Sequence, residues 1–134
     1  MRKVCLFLLE SALLVTLLAT TAVAQDWSKA ERRPFLKYIT WDGTNWAAKL
    51  NGTAWVIARD GKWSRGRTSD YIEYIGWNQT RWGAKPNGSG FILVPNRDWS
   101  KRQTKTYINY VTWGGDQYTA ALQPDGTFLL LKRQ

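Results

Sequence analysis

From residue 26 onward, apolar and polar positions alternate in short runs. Leu36-Lys37-Tyr38-Ile39-Thr40-Trp41 is rich in β-branched and aromatic residues, which fit a pleated, half-buried surface. In Trp46-Ala47-Ala48-Lys49-Leu50, a period of two puts Trp46, Ala48 and Leu50 on one face. Polar turns separate such runs: Asp42-Gly43-Thr44-Asn45, Asn78-Gln79-Thr80-Arg81 and Gly114-Gly115-Asp116-Gln117. Asn51-Gly52, Asn87-Gly88 and Asp125-Gly126 are hairpin dipeptides, because a type I′ turn requires positive φ at both central residues. Residues 53–58 form a further strand. Asp60-Gly61 or Asn96-Arg97 then turns the chain into a short Trp-Ser strand that opens the next unit. No stretch here sustains a 3.6-residue apolar period. The pattern predicts an all-β domain.

The pattern also repeats, at a spacing of 36 residues. Trp27, Trp63 and Trp99 each precede a serine, and Tyr38/Tyr74/Tyr110, Trp41/Trp77/Trp113 and Ala48/Ala84/Ala120 recur in step. Conservative columns fill the gaps, among them Leu36/Ile72/Ile108 and Trp46/Trp82/Tyr118. Three homologous four-stranded units, 26–61, 62–97 and 98–134, therefore tile one domain, 25–134, with a small insertion near Gln123-Pro124 in the third. The fully repeated tryptophans and the tyrosine column are expected to pack a core about a threefold axis, since each large aromatic contributes ~150–250 Å² of burial.

Residues 1–24 read as a cleavable signal peptide. Arg2 and Lys3 precede a largely apolar run, 4–18, and residues 20–24 end in small residues at the cleavage positions. The expectation is export, to the periplasm or outside the cell, with no membrane span left after cleavage. Cys5 leaves with the leader, so the mature chain holds no cysteine. Loss of Arg2, Lys3 and Glu10 turns the net charge of +9 into +8.

Three four-stranded units suit a β-trefoil, six strands in a barrel and six in a hairpin cap, with no open sheet edge. On Gln117-Tyr118-Thr119-Ala120 followed by Pro124-Asp125-Gly126-Thr127, the chain resembles β-trefoil lectins of the ricin-B and fascin-like kinds. The Gln-x-Trp motif of the ricin-type lectins is absent, so their sugar-contact residues do not carry over. The order Gly-x-x-Trp-x-Ala, Asn-Gly, strand, turn and Trp is also similar to tectonin-type propeller repeats. That resemblance implies blades completed into a larger ring by dimerisation, so monomer and dimer both stay open.

Composition narrows the chemistry. With no His, His-based acid–base and nucleophile systems drop out, together with nearly all zinc sites. No metal or other cofactor is expected. Catalysis would have to rest on carboxylates such as Asp26, Glu31, Asp60, Asp70, Glu73 and Asp98, and a glycosidase needs two flanking one bond. Asp26 and Asp98 have Lys62 as their middle counterpart, so Asp-Trp reads as a turn and the protein as a non-enzyme. The sequons at Asn51, Asn78 and Asn87 coincide with turn residues and read as turn chemistry.

Two binding chemistries remain. Each second strand opens with an aromatic beside polar turn residues: Trp46 with Asp42 and Asn45, Trp82 with Asn78 and Arg81, Tyr118 with Asp116 and Gln117. A sugar ring stacks on such an aromatic while its hydroxyls bond the polar groups. Three copies would make a multivalent lectin, a partner for glycans or glycoconjugates. The basic residues Lys29, Arg32, Arg33, Arg65, Arg67, Lys101, Arg102 and Lys105 recur near the unit starts and suggest, as an alternative, adhesion to anionic polymers such as sulfated or sialylated glycans or lipopolysaccharide. An export leader argues against nucleic acid. A third class is an interaction module with an exposed tryptophan, for which Trp55, matched by Phe91 and Phe128, is the candidate.

Overall fold

A computed structural model of the chain describes residues 26–134; the leader expected at 1–24 and Cys5 lie outside them. The strands are β1 Glu31–Arg33, β2 Leu36–Ile39, β3 Asn45–Asn51, β4 Ala54–Arg59, β5 Arg67–Ser69, β6 Ile72–Ile75, β7 Arg81–Asn87, β8 Gly90–Pro95, β9 Gln103–Lys105, β10 Tyr107–Val111, β11 Gln117–Leu122 and β12 Phe128–Lys132. They form three four-stranded antiparallel sheets: A (β2-β3-β4-β5), B (β6-β7-β8-β9) and C (β10-β11-β12-β1). The all-β fold and the triplication are as the sequence predicts. Each sheet takes three strands from one unit and its fourth from the next. Sheet C is completed by β1, the first strand of the described residues, Glu31 pairing with Leu130 and Arg33 with Phe128. Among the described residues no ladder joins one sheet to another, so the pairing establishes neither a trefoil barrel nor a closed ring of blades. No helix among them is long and apolar enough to cross a membrane.

The three Trp-Ser segments are not strands. Trp27–Lys29, Trp63–Arg65 and Trp99–Lys101 are single 3-10 turns. In the outer two, Asp26 and Asp98 accept hydrogen bonds from the backbone N–H of Ser28 and Ser100, as capping carboxylates do. Lys62 has no side-chain bond to offer there. The Asp-Trp pairs are thus turn caps, as expected.

The hairpin turns differ from the expected geometry. Asn51 pairs with Ala54 and Asn87 with Gly90, so Gly52 and Gly88 occupy the first central position, at φ +70° and +61°. That single positive φ is the II′ pattern. The paired positive φ of type I′ falls elsewhere, at Asp60-Gly61 and Asn96-Arg97, where each strand run turns into a 3-10 segment.

One apolar cluster draws on all three sheets, with Leu36, Ile72, Ile108, the Ala48/Ala84/Ala120 column and Tyr38, Tyr74 and Tyr110 all buried. At its centre Trp55 is fully buried, stacked between Phe91 (centroids 6.3 Å) and Phe128 (5.9 Å), and its indole N–H donates to the Ala84 carbonyl at 3.0 Å. Trp55 is therefore the hub of the core and no exposed anchor. The apolar β4 face puts it there: Trp55 and Ile57 alternate with Val56 and point inward.

The tryptophan columns expected in the core are elsewhere. Trp27 and Trp63 are half-buried and Trp99 is 44% exposed, because a 3-10 turn at a sheet corner carries them outside. Trp63 packs edge-on against Phe35 at 5.6 Å and Trp99 against Tyr71 at 6.1 Å. Trp41, Trp77 and Trp113 are half-buried at the junctions between sheets. The Trp77 indole donates to the Tyr118 carbonyl (3.0 Å) and the Trp113 indole to the Trp46 carbonyl (2.9 Å), each bridging to the next sheet. The Trp41 indole N–H is buried with no hydrogen-bond partner among the described residues.

Candidate functional site: three clefts at the sheet junctions

The inner face of each sheet is buried at one end by the common core and open at the other. The open ends form clefts of about 420 Å³ over sheet A, 620 Å³ over sheet B and 390 Å³ over sheet C. Their linings correspond position by position. The floor is Tyr38, Trp46 and Ile57 in the first, Tyr74, Trp82 and Leu93 in the second, and Tyr110, Tyr118 and Leu130 in the third. These are inward-facing residues of three adjacent strands: Tyr38 is paired with Trp46, Tyr74 with Trp82 and Tyr110 with Tyr118. The fourth strand supplies one wall through Arg67 and Ser69, Gln103 and Lys105, or Glu31 and Arg33. The first strand of the neighbouring sheet, with the residue just before it in two cases, supplies the other through Tyr71 and Glu73, Tyr107 and Asn109, or Phe35 and Lys37.

Cations lie over the indoles. Arg97 and Arg133 lie 4.6 Å above Trp41 and Trp77, and Lys37 lies 4.9 Å above Trp113. Arg67 covers Trp46 at 5.3 Å. Such contacts contribute ~0.5–1 kcal/mol at exposed sites, and they hold the cationic heads at the cleft rims. Arg97 is further fixed by Glu73, Nε to Oε2 at 2.8 Å, and Arg133 by Gln117 Oε1 at 2.7 Å.

Titration behaviour follows from these surroundings. Burial pushes the hydroxyls of Tyr38, Tyr74 and Tyr110 well above the usual tyrosine value, so these three hydroxyls stay neutral. Asp42 is held down at about 2 by hydrogen bonds, first from the Thr40 hydroxyl and then from Thr44. It is a turn-forming carboxylate as well as a cleft residue.

Of the residues expected to contact sugar, Asp42 and Trp46 line the first cleft, Asn78 and Trp82 the second, and Tyr118 the third. The others do not line these three clefts. Arg81 reaches the Trp41 ring at 5.4 Å. Asp116 pairs with Lys132 at 3.7 Å. Gln117 donates to the Trp77 carbonyl and receives Arg133, buttressing the second cleft from sheet C. Asn45 accepts the Asp60 N–H on its backbone carbonyl.

The basic set divides as well. Arg33, Arg67 and Lys105 line clefts. Arg32 bonds Asp125 and Thr127 on the neighbouring strand's turn, and Arg102 donates to the Trp99 carbonyl. Lys29, Arg65 and Lys101 end the 3-10 turns at the exposed surface. Reasoning from the sequence missed Arg97, Arg133 and the Tyr38/Tyr74/Tyr110 floor, and it gave Trp41 and Trp77 to the core. The signal for the floor was present, because Tyr38 and Trp46 alternate onto the same face of adjoining strands.

Among the described residues no group of three or more His, Cys, Asp or Glu is placed to hold a metal ion. No protein-family model, curated protein or solved structure matches this chain.

Proposed function

We propose that this protein binds carbohydrate without modifying it, through three repeat-related clefts at the junctions of its sheets. The observation that carries this reading is the threefold recurrence of one constellation: a neutral tyrosine floor, an aromatic platform at Trp46, Trp82 or Tyr118, and polar and cationic side chains at the rim. An aromatic body with a few convergent polar groups is what a sugar ring requires. Three weak sites acting on a multivalent ligand raise avidity by ~10²–10⁴ when geometry allows simultaneous engagement. The leader-like segment 1–24 supports export, where such ligands are displayed.

Arg67, Lys105 and Arg33 in the cleft walls favour a second reading, attachment to anionic polymers. A glycan array probed at low and high salt separates the two. Binding to defined glycans that survives high salt is the expected result. Signal confined to polyanions and abolished by salt would replace the sugar reading with the electrostatic one.

For the architecture, we read the sheets as three blade-like meanders gathered on one core. The strand order within each sheet and the completion of sheet C by β1 support this over a trefoil barrel. A monomeric mass in solution is expected. A dimer would favour the six-bladed ring that tectonin-type repeats imply.

A further inference from the structure

The three clefts share a plan but not a charge. In the first, the cations Arg67 and Arg97 face Asp42 and Glu73, and Arg97 is tied to Glu73. In the third, Arg33 is paired with Glu31 at 2.5 Å, leaving Lys37 over Trp113. The second is different: Lys105 and Arg133 line it, and among the described residues no carboxylate does. Both acids of the first cleft have amides as counterparts here, Asn78 for Asp42 and Asn109 for Glu73, and Ser69 has become Lys105.

The hydrogen bonds sharpen the contrast. Asn78 Oδ1 accepts the Thr80 N–H at 3.2 Å, and Asn109 Oδ1 accepts the Thr119 hydroxyl at 2.8 Å. Unlike the carboxylates they replace, both amides carry no charge and bring an NH₂ donor. Arg133 is held over Trp77 and anchored at Nη1 by Gln117, so its position is fixed before any ligand arrives. The cleft therefore joins two cations and the amides of Asn78, Gln103 and Asn109 to the indoles of Trp77 and Trp82, and it is the largest of the three at about 620 Å³.

On the reading that the clefts bind sugar, we propose that the second takes an acidic one: a ring seated on Trp82, its carboxylate or sulfate facing Arg133 and Lys105. In the first cleft both cations are opposed by carboxylates of the same lining, and in the third one of the two is, with Lys37 turned onto Trp113, so neither selects for an anion as the second does.

The test is a glycan array of neutral sugars printed beside their uronic-acid and sulfated counterparts, probed with the mature chain, followed by calorimetry on the best matched set. Inorganic sulfate serves as the anion without a sugar. Acidic members should bind at least about tenfold more tightly than their neutral partners, as charge-assisted hydrogen bonds are stronger than neutral ones. A carboxylate-only or sulfate-only preference identifies the anion. Lys105→Met, and Lys105→Met with Arg133→Met, should erase the preference of acidic over neutral members. Lys85→Met, an equal charge loss at an exposed position of β7, should leave it intact.

The proposal is overturned if acidic and neutral members bind alike, if the preference survives in a folded double variant, or if sulfate alone binds as well as the acidic sugar. Neutral binding without acid preference sinks this inference only. No binding to any sugar sinks it together with the lectin reading.

Discussion

The junction tryptophans make three nearly equivalent positions with unequal bonding, which allows a controlled comparison. Trp77 and Trp113 donate across to the next sheet, whereas the Trp41 N–H is buried without a partner among the described residues. A typical intramolecular hydrogen bond adds ~1 kcal/mol net, and an unsatisfied buried donor costs ~1–3 kcal/mol. Trp77→Phe and Trp113→Phe should each lose about 2–4 kcal/mol more in urea unfolding than Trp41→Phe, which gives up no hydrogen bond. Equal losses at all three sites would show that the bonds contribute nothing. Backbone strain offers a second comparison. Gln79 sits at φ +68° where its counterparts are Gly43 (+84°) and Gly115 (+87°). Left-handed backbone costs a side-chain-bearing residue ~1–2 kcal/mol, so Gln79→Gly should raise the unfolding midpoint and Gly43→Ala should lower it.

Among the elements, the turns and the borrowed fourth strands govern stability. Asp42 closes the turn between β2 and β3, and its folded value of about 2 lies below its ordinary 3.8. A depressed carboxylate adds stability above its unfolded value and loses it as the pH falls through the folded one. Acid should therefore weaken the protein between about pH 4 and pH 2 through this turn, and Asp42→Asn should flatten that part of the stability profile. An unchanged slope would mean that the turn does not sense acid. Sheet C depends on β1, which covers the open edge of β12. Deleting residues 26–33 would leave that edge unpaired, so a lower melting temperature and self-association in light scattering are expected.

At the scale of the whole molecule, three strands of each unit were legible among the described residues because copied columns and turn residues mark each run, whereas the fourth was misplaced: the Trp-Ser segments expected as strands are 3-10 turns, and the pairing falls to Glu31–Arg33, Arg67–Ser69 and Gln103–Lys105. The column Tyr38/Tyr74/Tyr110 was rightly placed in the core by its repetition alone. The same logic failed for Trp27/Trp63/Trp99. Repetition shows that a position is equivalent in each copy, not that it is buried, and a 3-10 turn puts these indoles outside. Trp55 was misjudged for the opposite reason: it varies to phenylalanine in the other units, yet a central stack accepts any large aromatic. The clefts were half visible. Trp46, Trp82 and Tyr118 are readable from local turns, but Arg97 and Arg133 arrive from strand ends that only the assembled sheets bring alongside Trp41 and Trp77.

The central claim is that the three platforms recognise sugar. Its most direct measurement is the glycan-array signal of a chain carrying Trp46→Ala, Trp82→Ala and Tyr118→Ala, set beside the unaltered chain, with circular dichroism to verify that both are folded. Loss of glycan binding by the folded variant is the predicted result. Binding undiminished in that folded variant would contradict the account.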